Sequence, residues 1–169
     1  GDVPSKTEPT KNDLSNINTG KTDRDVIMDA LIADLEEAIN YLPWAGQNSY
    51  TTEHVTKGYA HALLAQIALQ RSGWAIREAA KEGYVTASEN SDPTYPTQRC
   101  SDEDRAKYYK LALTHLNEVI SSGKHQLNPS FDNEWTLINS QTLDTQYQEN
   151  IFEVPMGLGN SSELGYGIG

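Results

Sequence analysis

The sequence predicts a mainly α-helical fold of stacked antiparallel helix pairs, tetratricopeptide-like, with a minor β-strand and long loops. Three observations carry this prediction. Apolar residues recur at helical spacing over 22–43, 56–72 and 102–122. The first and third stretches open on capping signatures, and Pro43, Gly73 and Gly123 stand at or just past the three ends. The first two helices begin about 33 residues apart, near the roughly 34-residue tetratricopeptide period, and the third follows after about 45. A plain helical bundle fits the same spacing.

Residues 1–21 are polar and turn-rich, with Pro4, Pro9, Asn12, Asn16 and Gly20, and are expected to form an extended lead-in. Thr22-x-x-Asp25 resembles a capping box with Asp in place of Glu or Gln. The stripe Ile27, Leu31, Leu35, Ala38, Ile39 and Leu42 follows, and Pro43 stops it. In the second helix Tyr59, Ala60, Leu63, Leu64, Ile67 and Ala68 cover a wide arc. Its alanines leave little side chain between it and its neighbours, so it is expected to be sandwiched and mostly buried. Gly73 suits a left-handed cap.

One or two helical turns are expected over 74–82, then a long loop over 83–101, of a length usually functional or mobile. Ser101-x-x-Asp104 opens the third helix, whose stripe is Tyr108, Leu111, Ala112, His115, Leu116, Val119 and Ile120. Beyond Gly123, Phe131, Trp135 and Leu137 suit a small apolar cluster. Residues 149–154 read as a strand stopped by Pro155. Five glycines in the last fifteen residues make a packed element there a poor expectation.

The 169 residues favour a single helical domain over 1–169, long enough for a real core. A formal charge of −11, from 24 acidic and 13 basic residues, supplies no basic footprint for phosphates, which disfavours nucleic acid as a partner. Anionic lipid surfaces are disfavoured for the same reason. The one cysteine, Cys100, offers no internal disulfide and reads as an ordinary loop thiol. The apolar run near Ala60–Leu69 falls far short of the roughly 20 residues that span a bilayer. No signal-peptide pattern opens the chain, and Gly1 in place of Met points to a processed or cut beginning.

Catalytic chemistry has no clear bearer. Glu36 and Glu37 are adjacent, so on a helix they diverge by about 100° and cannot face one site. Asp102, Glu103 and Asp104 suit a helix N-terminus, where the macrodipole favours anions. His54 and His61 are seven residues apart, outside the i, i+4 pairing of helical zinc sites, and His115 lies on an apolar stripe. No catalytic residue, metal site or cofactor is therefore expected. Aromatic side chains are better binding candidates, because Trp and Tyr rings receive the apolar faces of sugars and peptides. Tyr95 and Tyr166, in polar surroundings, are the leading ligand contacts, with Trp74 beside them. For all three tryptophans, Trp44, Trp74 and Trp135, packing is the first expectation.

The order of several motifs carries a resemblance. Gly1-Asp2-Val3-Pro4 leads in, followed by Asp25-Val26-Ile27, Ile32-Ala33-Asp34-Leu35-Glu36-Glu37-Ala38 and Leu42-Pro43. Next come Thr56-Lys57-Gly58-Tyr59-Ala60, then Tyr108-Tyr109-Lys110-Leu111-Ala112 through Ser122-Gly123-Lys124-His125, then Glu149-Asn150-Ile151-Phe152-Glu153-Val154. Taken together they resemble the SusD/RagB-like outer-membrane lipoproteins. His54 departs from the basic residue of that pattern, and 83–101 looks particular to this chain.

The resemblance implies an internal piece of a larger protein that binds oligosaccharide or peptide nutrients without catalysis. It implies a surface-exposed outer-membrane location, a lipid anchor outside this chain as the sole membrane attachment, and a SusC-like TonB-dependent transporter as partner. It also implies that most ligand contacts come from outside this segment. The alternative is a tetratricopeptide-like protein–protein interaction scaffold without small-ligand binding.

Overall fold

A computed structural model of the chain describes residues 1–154. Among the described residues four helices hold 40% and short strands 7%, so the helical expectation stands at this coarse level. The helices are α1 (Arg24–Ala38), α2 (Lys57–Ser72), α3 (Asp102–Ser122) and α4 (Phe131–Asn139). None of them is long and apolar enough to cross a membrane. The described residues divide into two compact units: Gly1–Tyr41 with His61–Glu118, and Leu42–Ala60 with 119–154.

In the first unit the lead-in is paired rather than loose. Strands β1 (Val3–Pro4) and β2 (Lys21–Thr22) are antiparallel, with Val3 opposite Thr22. Their pairing brings the Asp2 carboxylate to the start of α1, where it accepts from the Arg24 N–H at 3.0 Å. The cap itself is Asp23, which accepts from the Asp25 N–H at 2.7 Å. The capping box read at Thr22 and Asp25 is thus displaced by one residue, and the Asp25 side chain is released for another role. α1 ends at Ala38, short of Pro43, and the chain leaves it through a tighter turn in which Asn40 and Tyr41 bond three residues back, to Glu37 and Ala38.

The first unit's core joins α1, α2 and α3 through Ile32, Leu64, Ala65, Ala68, Tyr108 and Ala112. Small residues on α2 allow this close approach, as the alanine pattern predicts. Cys100 lies outside helix and strand, as its reading as a loop thiol has it, but it belongs to the same cluster and is fully buried.

The expected helical turns over 74–82 and the loop over 83–101 are also corrected. Strands β3 (Ala75–Ile76), β4 (Val85–Thr86) and β5 (Thr97–Arg99) form an antiparallel sheet in the order β3-β5-β4. Gln98, buried at its centre, accepts from the Lys81 N–H at 2.9 Å and donates to Thr86 Oγ1 at 3.0 Å. One side chain therefore fixes the course of the intervening segment.

In the second unit, Thr56 Oγ1 accepts from the Tyr59 N–H at 3.3 Å and starts α2. Gly123 closes α3 at φ +63°, the left-handed conformation glycine adopts without strain. The expected Phe131–Trp135–Leu137 cluster is instead part of α4, capped by Ser130, and Phe131 and Trp135 are exposed. Among the described residues 149–154 are not a strand: one hydrogen bond, Glu153 N–H to the Thr52 carbonyl at 2.9 Å, replaces a ladder.

Candidate functional site

Asp25 lies on the buried side of α1, seven residues before Ile32 and two helical turns along the same face. It is 2% exposed, yet it is a carboxylate, and burial of that kind demands partners. They come from the segment between β3 and β4, from α1 and from α2. Arg77 Nη1 donates to Oδ1 at 2.9 Å, Lys81 Nζ to Oδ2 at 3.1 Å and the Tyr84 hydroxyl to Oδ2 at 2.7 Å. Arg24 Nη1 lies 3.1 Å from Oδ1, and Arg71 Nη1 lies 3.5 Å from Oδ2.

One turn further on, Asp29 takes a two-pronged contact from Arg71 at 3.0 and 3.2 Å and a 2.6 Å bond from the Tyr108 hydroxyl. Four of the chain's 13 basic residues thus gather around Asp23, Asp25 and Asp29.

The chemistry of this cluster is cohesion. Burial alone would raise Asp25, but the bonds from Arg77, Tyr84 and Lys81 and the charge of Arg71 hold it well below the usual carboxylate range. A carboxylate so stabilised is a poor general base at neutral pH. Tyr84 and Tyr108 are pushed up, by burial first and then by their carboxylate partners, so their protons stay in place.

Alongside this cluster, α1 and α3 bound an open groove of about 720 Å³. Ile32, Tyr108 and Leu111 are its apolar lining, α1 contributes the carboxylates Asp29 and Glu36, and α3 contributes Lys107, Lys110 and Thr114. The spacing explains the charge rows: Asp29 and Glu36 are seven apart on α1, and Lys107 and Lys110 three apart on α3, so each pair shares a face. Sequence reading missed this site because each charge, taken singly, is an ordinary solvated helix residue. The signal was the placement of both charge rows beside the apolar stripes.

His61 and His115 bring their Nδ1 atoms within 2.8 Å, one donating and the other accepting. Burial lowers the pKa of His115, against the opposing charges of Glu36 and Glu118. Among the described residues no group of three or more His, Cys, Asp and Glu side chains is placed to hold a metal ion.

The ligand candidates read from sequence lie elsewhere. Trp74, just before β3, is 48% exposed with the Arg99 guanidinium 5.3 Å from its ring centroid. Tyr95, two residues before β5, is 54% exposed, and its N–H points to Asp92 Oδ1. Neither lines the α1–α3 groove. Tyr166 lies outside the described residues.

In the second unit, several of the motif residues meet. The Lys57 N–H donates to the Pro43 carbonyl at 2.8 Å. Gly58 is buried against the imidazole of His125 and the ring of Trp44. His125 Nδ1 donates to the Gln148 carbonyl at 2.8 Å, and Nε2 faces Gly58. Tyr59 stacks on Phe152 with centroids 4.4 Å apart, and Thr52 Oγ1 donates to Glu153 at 2.8 Å. A cavity of about 300 Å³ lies beside Leu137, Leu143 and Val154.

No family model, no curated protein and no solved structure matches the chain.

Proposed function

We propose that this chain is the helical part of a SusD/RagB-like protein that binds oligosaccharide or peptide nutrients at the outer membrane without transforming them. In this reading a SusC-like TonB-dependent transporter is the partner, and a lipid anchor outside this chain is the membrane attachment. One observation carries it. Motif residues on which the resemblance rests meet in pairs within one unit, Lys57 with Pro43, Gly58 with His125 and Tyr59 with Phe152. The Asp25 cluster supports the non-catalytic half, since its carboxylate is saturated by donors and holds elements together.

Isothermal titration of the full chain against a panel of glycans and peptides is expected to give binding without product. Turnover of any bound compound by the purified protein would defeat the non-catalytic reading. Co-purification with a SusC-like barrel tests the partner, and an upstream signal peptide ending in a lipobox cysteine tests the location. The α1–α3 groove also suits an interaction scaffold, in which case soluble protein partners are captured in preference to the barrel.

A further inference from the structure

We infer that the α1–α3 groove is a binding site for a short apolar peptide with free termini. This rests on the nutrient-binding reading above and narrows the ligand to one chemical class. The groove takes carboxylates from α1, ammonium groups from α3 and an apolar lining from both. Asp29 is already engaged by Arg71 and Tyr108, so the exposed Glu36 is the carboxylate left to meet a ligand. On α3, Lys107 and Lys110 are exposed, and the Lys107 ammonium stands 5.7 Å from the Tyr108 ring centroid.

Charges of opposite sign on two helices complement a ligand that is itself dipolar, and an apolar lining complements an apolar body. A peptide has both: an α-ammonium for Glu36, an α-carboxylate for Lys107 and Lys110, and aliphatic side chains for Ile32 and Leu111. The groove volume of about 720 Å³ lies within the usual range for small-ligand sites. A neutral sugar fits less well. The aromatic ring in the lining, Tyr108, is 8% exposed, and Arg71 and Lys107 stand over it, so it offers no open face for stacking. A simple fatty acid would satisfy the lysines and leave Glu36 unanswered.

Titration of the full chain with trileucine is expected to show saturable binding. N-acetyl-trileucine amide, which lacks both charges, is expected to bind about tenfold more weakly, as is trileucine to a Lys107→Glu/Lys110→Glu variant. Glu36→Lys is expected to weaken trileucine but not its N-acetylated form, a selectivity that general damage to the fold would not produce. All three substitutions fall on exposed helix surface, and circular dichroism checks that the helices are retained.

Equal affinity for the free and blocked peptides would overturn the inference. So would maltotriose binding that is lost in the lysine variant. If glycans bind and trileucine does not, the inference fails while nutrient binding stands. If neither class binds, both fail together.

Discussion

Replacing Asp25 with alanine is expected to lower stability by about 3–5 kcal/mol, the usual consequence of leaving buried charges without their partner. Arg77 makes the argument sharpest. Its side chain is 3% exposed, its Nε and Nη2 have no hydrogen-bond partner, and Asp25 is its neutralising contact among the described residues. Urea unfolding of both proteins measures the difference, and a loss under about 1 kcal/mol, typical of exposed pairs, would contradict the account.

The acid limb provides a second check on the same residue. Asp25 is depressed in the fold relative to its unfolded value of about 3.9, so the folded protein is the poorer proton binder. Its stabilisation is therefore complete above about pH 4 and is lost as pH falls from there towards the folded value. The gap between wild type and Asp25→Ala should narrow between pH 7 and pH 3. A gap independent of pH would mean that Asp25 acts through shape rather than charge.

Gly58→Ala is expected to destabilise by about 1–3 kcal/mol, through overpacking. The sign is diagnostic, because in an unobstructed helix the same change stabilises by up to about 1 kcal/mol. Here the added Cβ would run into the His125 imidazole and stand 3.4 Å from Trp44 Cζ3. His125 has little room to retreat, being tied to the Gln148 carbonyl at 2.8 Å. Pairing the change with His125→Ala should reverse its sign, and a double-mutant cycle by chemical denaturation reads that coupling directly. Additive effects would mean that the two residues do not press on each other.

The helices were legible because their signals are local. Ser101 caps α3 through the Asp104 N–H as read, and the stripes of α2 and α3 lie within their helices, while that of α1 runs past its end at Ile39 and Leu42. α4 was missed although Ser130 offered a cap three residues before Asn133, because its large apolar residues, Phe131 and Trp135, are largely exposed. Strands of two or three residues show too little alternation to read, and Thr97-Gln98-Arg99 is polar throughout, so the sheet depends on tertiary pairing.

The Asp25 cluster was hidden for a related reason. A carboxylate at the start of a helix has an adequate local explanation as a cap. Its position on the Ile32 face was the cue that it points inward. The groove needed knowledge that α1 and α3 are neighbours, which no spacing within either helix contains.

Cys100 gives the folded chain its own clock. The thiol is fully buried beside Leu64 and Ala68, and burial raises its pKa, so thiolate is scarce as well as shielded. A labelling reagent reaches it when that core opens. As the chain has one cysteine, the labelling rate reports a single event at a known place. When reclosing outpaces labelling, that rate measures the free energy of opening the first unit under native conditions, with no denaturant and no added probe.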